Sequence, residues 1–481
     1  MGANKRHLLR GAIAILAMAM SGCVVDPSEL GDSSVPVTGE YRARDGKRSL
    51  LPAGDWWKCF DDLYLNKLLA RLDSENPSIA VALARYDRAR AELGLARADR
   101  FPSISGDLIW KRKRDSSSGV FVPTEVNYSE YRSALNLQWE IDLWGRVRQS
   151  INAAGADLKA AEADLAAARL SLQSELVRNY FQLRYIDGEL GLLRRSVGLR
   201  EENLRLVNAR IQGGETTDLD LARAEAEVES VRAQVLQLQR GRSEFFNALA
   251  ALVGKTPAAF SLEKGGVRNV PNIPAGVPSQ LLERRPDIYA AEQRIQAAAA
   301  RLGVVKASYL PRVTLGAAGG LSSLDLGDLL DPSSLFGEVG PEIVVPLYQA
   351  GRSGIDSDRV KAEGAEVVGL YRETALKAFR EVEDALAGIR FLDREIEAHR
   401  RASSAAGRAS ELSQKRYDGG LVSFFEVVDS QRTELEEDRE LIQARSARQL
   451  ATVQLIQALG GGWDIPLDEG GSSRKHVESD P

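Results

Sequence analysis

Cysteine and histidine are scarce in this chain of 481 residues. Cys23 and Cys59 are its only cysteines, so no disulfide framework can hold the fold and packing must stabilise it. Of the three histidines, His7 lies in a segment that we expect to be removed, which leaves His399 and His476. Two histidines are too few for histidine-based metal sites or for Ser/His and Cys/His catalytic arrangements. We therefore expect neither a metal site nor an enzyme.

Long apolar runs and an excess of positive charge are also missing. The formal net charge is −5, and losing an N-terminal segment that contains Lys5, Arg6 and Arg10 makes it more negative. Nucleic-acid binding needs a basic surface, so this class of function is excluded. Beyond residue 23, no apolar run approaches the roughly 20 residues of a membrane-spanning helix. Any membrane crossing by the mature chain would have to use strands.

The N-terminus has the layout of a secretory signal peptide, with basic residues, then the apolar run Gly11 to Met20, then small residues before Cys23. We predict that residues 1–22 are removed and that Cys23 receives a covalent lipid through its sulfur. Residues 23–75 would then form a lipid-anchored N-terminal segment. The pattern resembles a bacterial lipobox, although Met20 stands where leucine is usual. The alternative is an ordinary signal peptide followed by a chance cysteine.

The order of motifs along the chain occurs twice. The matching segments are Asn76–Ile79 with Arg285–Ile288, Ala98–Pro102 with Ala307–Pro311, Gly145–Arg146 with Gly351–Arg352, and Arg210–Gly214 with Arg416–Gly420. Four matches in register indicate an internal duplication. We predict a first structural repeat over 76–269 and a second over 270–463. The polar tail over 464–481 is predicted to be disordered.

Each repeat contains one very long helical segment, predicted over 146–212 and 352–418. In both segments apolar side chains recur every seven residues, as in coiled coils. The seams are Leu176, Leu183, Leu190, Val197, Leu204 and Ile211 in the first, and Val368, Ala375, Val382, Ile389 and Ile396 in the second. At 1.5 Å per residue the second segment is a rod of roughly 95 Å, which is too long for the core of a globule.

Both rods end at a double glycine, which favours closure of a helix and reversal of the chain. Return helices are therefore predicted over 217–254 and 423–460. Each repeat also opens with a shorter helix, which in the second repeat is predicted over 279–308.

Two stretches before each rod alternate between apolar and polar residues, as expected for strands with one apolar and one solvated face. We predict β-hairpins over 103–139 and 312–346. The strands are long enough to cross a bilayer when tilted, so we favour a membrane barrel over two soluble hairpins. Four strands cannot close a barrel with an open lumen, and open edges in lipid are costly, so several chains must share one barrel.

Four motifs together resemble the outer-membrane efflux factors of the TolC superfamily, in the lipoprotein branch called NodT-like or OprM-like. The motifs are Leu281–Asp287, Asp142–Arg146, Val345–Gly351 and Leu459–Trp463. The resemblance covers roughly residues 53–463. It implies an α+β membrane protein that forms a trimer. Twelve strands, four from each chain, would form a transmembrane β-barrel continuous with a long periplasmic α-helical barrel and a mixed equatorial belt.

The same resemblance implies the exit duct of a tripartite efflux pump in the outer membrane. Such a duct passively conducts small molecules or drugs from an inner-membrane pump, here of the resistance-nodulation-division type, through a periplasmic adaptor protein. Outer-membrane lipid would be a further partner, and the lipid on Cys23 the only attached group, with no cofactor. Two alternatives stay open, the duct of a protein-secretion system and a lipid-anchored coiled-coil spacer without a pore.

The resemblance also implies a periplasmic gate. Glu426 and Asp429 match paired acidic residues that line the entrance in relatives and favour cations, and Asp220 is the first-repeat counterpart of Glu426. A threefold axis would turn them into rings of negative charge. Acidic residues near a helix N-terminus are also expected for the helix dipole and for capping. Tyr417 and Arg416 are predicted to hold neighbouring helices together in the closed state, although simple packing is the alternative for the tyrosine.

The two turns are predicted to dock onto the adaptor, again by resemblance. Their residues are Gly213, Gly214, Glu215 and Thr216 in the first repeat and Gly419, Gly420, Leu421 and Val422 in the second. With Phe424 and Phe425, the second turn carries more apolar side chains than a solvated turn needs. Two other residues are singled out. His399 is predicted to be packed or hydrogen-bonded rather than a pH sensor, and Trp110 and Trp139 are candidate anchors at the membrane interface.

Overall fold

In the computed structural model of the protein, the described residues are 25–36, 54–115, 126–262, 271, 273 and 284–463. The predicted signal peptide, Cys23 and the tail over 464–481 lie outside them. The helices are α1 (Leu63–Glu75), α2 (Pro77–Ala98), α3 (Arg146–Gln212), α4 (Asp218–Leu252), α5 (Pro286–Ser308), α6 (Arg352–Asp418) and α7 (Phe424–Ala458), and the strands are β1 (Ser103–Asp115), β2 (Val126–Glu140), β3 (Arg312–Ser323) and β4 (Leu335–Val344). No helix within the described ranges is long and apolar enough to span a membrane.

The order of elements is the same in the two repeats: a helix, two strands, a helix of 67 residues and a helix of 35 residues. The long helices begin and end at the predicted residues. The return helices are shorter than predicted by one residue at the start and two at the end. Thr217 and Ser423 are N-caps outside the helix, and Gly254 and Gly460 have left-handed backbone angles that end it.

Two predicted boundaries need correction. The β2 strand begins at Val126, earlier than the apolar alternation indicates, because the ladder continues past the apolar band through polar pairs such as Lys111 with Glu130. Helix α5 begins at Pro286 rather than at 279, since proline at the first helical position needs no hydrogen-bond partner for its nitrogen. Residues 279–283 lie outside the described ranges.

The chain forms two compact units that both draw on the two repeats. The first is made from Met1–Ser34, Ala84–Glu162 and Ala290–Arg372, and it contains the strands. The second is made from Val35–Leu83, Ala163–Tyr289 and Glu373–Pro481, and it contains both helix turns. Neither repeat therefore folds as a compact unit of its own.

The first unit is built around one antiparallel sheet in the order β1-β2-β3-β4. Strands β1 and β4 are its two edges. One face carries the apolar side chains of all four strands: Ile104, Leu108, Trp110, Tyr131, Leu135, Leu137, Trp139, Val313, Leu315, Leu321, Leu335, Val339 and Ile343. Many of these are strongly exposed, with Leu108 at 85% and Val339 at 77%. A large exposed apolar face is unusual for a chain in water and marks a surface that another apolar medium covers.

The opposite face of the sheet is polar. Asn136 donates from its side chain to Asp107, and the Arg132 guanidinium lies 4.7 Å from the centre of the Phe336 ring. Glu338 and Glu342 of β4 point to the same side by the register. This division between two faces is the alternation predicted from the sequence.

The motif Asp142–Arg146 connects β2 to α3. Asp142 accepts hydrogen bonds from the backbone N–H groups of Val147 and Arg148, at 3.1 and 2.9 Å, and so caps the helix. Arg146 pairs with Glu140 through two contacts of 2.8 Å, which fixes the helix start against the end of the strand. Trp144 donates from its ring nitrogen to the Pro311 carbonyl at 2.6 Å, beside the start of β3.

The N-terminal segment after the predicted lipid site packs into the first unit. Val25 and Leu30 are buried against Leu302 of α5 and against Val360 and Val368 of α6. Lys306 of α5 pairs with Glu29 at 2.6 Å. The segment that would carry the lipid anchor is therefore fixed to this unit.

The second unit has a core of leucines and aromatic rings. Leu65, Leu68, Leu69 and Leu72 bury one face of α1 almost completely. The heptad positions Leu176, Leu183 and Leu190 of α3 are at most 3% exposed, as the sequence predicts. The Nδ1 atom of His399 lies 3.0 Å from a Glu437 carboxylate oxygen, so the prediction of a hydrogen-bonded histidine is confirmed.

Each return helix ends against the start of the shorter helix in its repeat. Asn76 donates its side-chain N–H to the Leu252 carbonyl at 2.7 Å, and Arg285 donates to the Ala458 carbonyl at 3.0 Å. These are equivalent places in the two repeats with different side chains. Arg285 makes further ion pairs of 2.7 Å with Asp287 and with Glu381 of α6.

Two buried tyrosines make the second unit sensitive to alkali. The Tyr180 hydroxyl donates to Asp62 at 2.7 Å, and the Tyr185 hydroxyl is 3.0 Å from Gln449. Burial raises the pKa of both side chains from 10.0 to about 12. Because the folded-state pKa is higher than the unfolded one, this stabilisation is complete below pH about 10 and is lost as pH rises toward 12.

We expect the thermal midpoint of the detergent-solubilised protein to fall as pH rises from about 10 to about 12. A Tyr180→Phe, Tyr185→Phe double variant should start lower at neutral pH, because it lacks two hydrogen bonds, but should lose less over this range. Far-UV circular dichroism, which reports helix content, follows thermal unfolding at each pH. Equal pH dependence in the two proteins would contradict the assignment.

Candidate functional site

The candidate site lies at the two turns that join each long helix to its return helix, both in the second unit. In the first turn, Glu215 N–H donates to the Arg210 carbonyl and Gly214 N–H to the Ile211 carbonyl, both at 2.9 Å. The second turn repeats this pair of bonds with Leu421 to Arg416 at 2.8 Å and Gly420 to Tyr417 at 2.9 Å.

This pair of bonds is the Schellman closure, which requires a left-handed residue. Gly214 and Gly420 take that role with φ of 73° and 70°. Gly213 and Gly419 precede them in each turn. The double glycines therefore have a structural duty that is independent of any partner.

Tyr417 is buried beside the second turn, with 6% of its surface exposed. It packs with Val207 of α3, Ala224 of α4 and Phe424 of α7, and the Arg210 guanidinium lies 4.4 Å from its ring centre. Its hydroxyl is buried with no hydrogen-bond partner among the described residues. Within one chain this tyrosine packs helices together, which is the alternative role that the sequence left open.

Glu426 and Asp429 are both exposed on the first turn of α7 and the turn after it. Neither makes an ion pair within 4.0 Å among the described residues. Asp429 nevertheless lies close enough to Arg432 for its charge to add to the effect of the Glu227 hydrogen bond, and both raise the pKa of Arg432. Arg416 is also exposed, and in the closure of the turn it contributes its backbone carbonyl.

Asp220 differs from its counterpart Glu426 because its carboxylate is engaged. It accepts a hydrogen bond from the Thr216 hydroxyl at 2.7 Å and lies 3.7 Å from Arg223. These contacts hold the Asp220 side chain in the first turn of α4, where a negative charge also interacts favourably with the helix dipole.

The second turn exposes less apolar surface than predicted. Leu421 and Phe425 are 73% and 53% exposed, but Phe424 is buried at 4% and Val422 packs against the same cluster. The prediction that Phe424 contributes surface is therefore wrong, because successive helix residues point about 100° apart. Beside the first turn, Leu219 at the start of α4 is 58% exposed and adds apolar surface that was not predicted.

A buried ion pair that also contacts a more exposed arginine lies one to two turns further from the tip and was also missed. Glu227 of α4 is paired with Arg200 of α3 at 3.3 Å and with Arg432 of α7 on its other oxygen. Burial lowers the pKa of Arg200, whereas the hydrogen bond to Glu227 raises the pKa of Arg432. Charges at heptad-like spacing look like a solvated face in a sequence, so no signal indicated that they meet.

The chain is similar to known proteins along most of its length. The family model for outer membrane efflux proteins matches residues 68–255 and 277–461. Outer membrane protein OprJ of Pseudomonas aeruginosa is 32% identical over 459 residues, which cover 94% of this chain and 95% of that protein. The pyoverdine export outer membrane protein OpmQ of the same species is 30% identical over 466 residues, covering 95% and 97%.

A solved structure of the outer-membrane channel OprN matches with a TM-score of 0.85 and 29% identity, covering 91% of this chain and 99% of that one. The two stretches matched by the family model correspond to the two repeats. The fold is thus shared with a channel of known structure over most of the chain. The chain belongs to the outer membrane efflux protein family of the TolC superfamily and is an outer-membrane efflux channel.

Proposed function

We propose that three copies of this chain form one exit duct of a tripartite efflux pump. Twelve strands would close a transmembrane β-barrel, and the long helices would form a periplasmic α-helical barrel with a mixed equatorial belt. The duct would passively pass small molecules or drugs received from an inner-membrane pump of the resistance-nodulation-division type through a periplasmic adaptor. No step of this transport requires bond chemistry by the chain.

The observation that carries the proposal is the four-stranded sheet with an apolar face and two unpaired edges. In lipid, each unpaired backbone group costs several kcal/mol, so the edges of β1 and β4 need partners. Pairing β1 of one copy with β4 of the next satisfies both edges and continues the apolar face around a ring. A coiled-coil spacer without a pore has no use for such a sheet. The names of the relatives favour efflux over protein secretion.

The adaptor would contact the two turns, at Gly213, Gly214, Glu215 and Thr216 and at Gly419, Gly420, Leu421 and Val422. Exposed Leu219, Leu421 and Phe425 supply apolar surface beside them. The lipid on Cys23 would hold the chain in the membrane from its N-terminus. The burial of Val25 and Leu30 supports this, because it brings the anchor to the unit that contains the sheet.

The gate would be formed by Glu426 and Asp429 of three copies, with Asp220, Tyr417 and Arg416 supporting the helices around it. Rings of exposed carboxylates attract cations and repel one another, so they favour cation entry and oppose constriction. Tyr417 would act by holding α3, α4 and α7 together. Asp220 would act by fixing the start of α4.

We expect Glu426→Gln with Asp429→Asn to lower the preference of the channel for cations. The measurement is the reversal potential in planar bilayers under a potassium chloride gradient, compared with the wild-type protein. Asp218→Asn is a matched control, since Asp218 is an exposed acid in the first turn of the other return helix. It should leave the reversal potential unchanged. An unchanged potential in the double variant would remove Glu426 and Asp429 from the gate, while a wild-type protein that does not conduct would reject the duct itself.

A further inference from the structure

The two edge strands of the sheet carry charges of opposite sign on its polar face. On β1 this face carries Lys111 and Lys113, and on β4 it carries glutamates at 338 and 342. Glu338 and Glu342 are exposed and make no ion pair among the described residues. Lys111 is likewise exposed and without an ion pair there, whereas Lys113 contacts Glu130 at 3.2 Å. Each edge therefore has charge that its own chain does not neutralise.

The internal duplication extends to the pairing of the strands. Ser103 pairs with Gln138 in the first hairpin, and Arg312 pairs with Val344 in the second. The first members of these pairs are 209 residues apart (103 and 312) and the second members 206 (138 and 344). The repeated motifs before and after each hairpin have the same two separations. In a ring of copies, β4 beside β1 of the next chain is therefore equivalent to β2 beside β3 within one chain.

The register between β2 and β3 then predicts the register between copies. For example, Arg132 of β2 pairs with Ser322 of β3, and moving 206 residues forward and 209 back gives Glu338 opposite Lys113. The pairs obtained in this way are Glu338 with Lys113, Gly340 with Lys111 and Glu342 with Ile109 on the polar face, and Pro341 with Trp110 and Ile343 with Leu108 on the apolar face.

The predicted pairs on the apolar face agree with the exposure of the side chains. Ile343 is 61% exposed and Leu108 is 85% exposed, so each has apolar surface that its own chain leaves uncovered. Opposite one another, they continue the apolar face across the junction between copies. A slip of one residue would turn all side chains of β1 to the other face.

The charges on the polar face agree with the same register, although they were not used to obtain it. Glu338 is directly opposite Lys113, and both glutamates are diagonal neighbours of Lys111 on either side of Gly340. Long side chains can reach such diagonal neighbours, which lie about 7–8 Å apart. A slip of two residues would instead place Glu342 opposite Asp107, and like charges directly opposite are destabilising.

We propose that Lys111 and Lys113 of one copy form ion pairs with Glu338 and Glu342 of the next, and so fix the register at which the copies pair. This inference rests on the proposed function, because it needs β1 and β4 of neighbouring copies to lie side by side. The partner of this charged edge is a second copy of the chain. Exposed ion pairs add little to stability, but opposite charges discriminate between one register and another.

Disulfide cross-linking of the full-length protein in isolated outer membranes tests the register, in a Cys59→Ser background. Glu342→Cys with Ile109→Cys places two thiols directly opposite each other on neighbouring copies. In one chain these positions lie on opposite edges of the sheet, so the disulfide joins two chains. Asp107→Cys or Lys111→Cys in place of Ile109→Cys gives matched controls two residues away, and each cysteine alone is a blank. On a denaturing gel without reductant, we expect at least about fivefold more linked dimer and trimer from 342 with 109 than from either control.

A charge exchange tests the ion pairs. Lys111→Glu places a third acid beside Glu338 and Glu342, and we expect the ratio of trimer to single chains in detergent to fall roughly tenfold, from a factor of about two at each of three junctions. Adding Glu342→Lys should restore most of the trimer. Within the chain Lys111 is opposite Glu130, and Glu342 lies on the other edge of the sheet, so this rescue needs a neighbouring copy.

Three results would overturn the inference: cross-linking as strong in a shifted pair, no cross-link between 342 and 109 in a protein of three chains, or no rescue of Lys111→Glu by Glu342→Lys. The mass of the wild-type protein in detergent separates this inference from the proposed function. A wild type of three chains that fails these tests rejects only the register, whereas a wild type that stays a single chain rejects the shared barrel as well.

Discussion

Replacing Gly320 by alanine is expected to abolish assembly of the protein in the membrane. A Cβ atom at this position would lie 2.0 Å from the Ser133 carbonyl oxygen and 2.7 Å from the Ala134 Cα. Both atoms belong to the backbone of β2, which is hydrogen-bonded on both sides and has no room to move. The substitution must therefore separate β2 from β3, and the open edges that result are costly in lipid.

Gly316→Ala is the matched control, four residues along the same strand and on the same face. Its Cβ would meet only the Gly340 oxygen at 3.8 Å, an ordinary contact. Protein in the outer-membrane fraction and its mass in detergent are the measurements. Assembly of Gly320→Ala at the level of Gly316→Ala would contradict the described pairing of β2 with β3.

Replacing Arg285 by methionine is expected to lower the free energy of unfolding by about 3 kcal/mol or more, the usual cost of breaking a buried charge pair. Arg285 is 8% exposed and connects Asp287, Glu381 and the end of α7. Burial acts to lower its pKa, but the hydrogen bonds to Asp287 and Glu381 outweigh burial and raise it. Methionine keeps much of the volume but leaves two carboxylates and a helix-end carbonyl without their donor.

Asn76→Ala tests the equivalent place in the first repeat. Asn76 is a neutral donor to the Leu252 carbonyl and also caps α2, so its loss should cost less, about 1–2 kcal/mol. Thermal unfolding of both variants in detergent, compared with the wild type, measures the order of the effects. Both residues donate a hydrogen bond to the last carbonyl of a return helix. If Arg285→Met were as stable as Asn76→Ala, the ion pairs of Arg285 would add nothing to the stability that this hydrogen bond gives.

Regular patterns made much of this fold predictable. The seven-residue spacing and the double glycines predicted both ends of the two long helices correctly. A long heptad seam without proline indicates one continuous helix, and a Schellman turn that ends a helix needs glycine. The alternation between apolar and polar side chains located all four strands and their faces. The ends of the strands did not follow from this pattern, because the β1–β2 ladder continues beyond the apolar band, where Lys113 of β1 pairs with Glu130 of β2 and leaves no apolar signal.

Contacts between distant residues were not predictable in the same way. Arg432 and Glu227 are separated by 205 residues and Arg285 and Ala458 by 173, so no local spacing brings them together. The equivalence of Asn76 and Arg285 is hidden because the side chains differ while their acceptors are backbone carbonyls. The orientation of α7 about its own axis determines which of Phe424 and Phe425 is buried. The residue at which a helix begins does not determine this orientation. The proposed gate depends on a threefold axis, which a single chain does not contain.

The most direct test of the account is the single-channel conductance of the purified protein in a planar bilayer, recorded together with its mass in detergent. A conducting particle with the mass of three chains is the result that the account predicts. A particle that never exceeds one chain and carries no current would contradict it, and would favour a coiled-coil spacer whose apolar sheet face has another use.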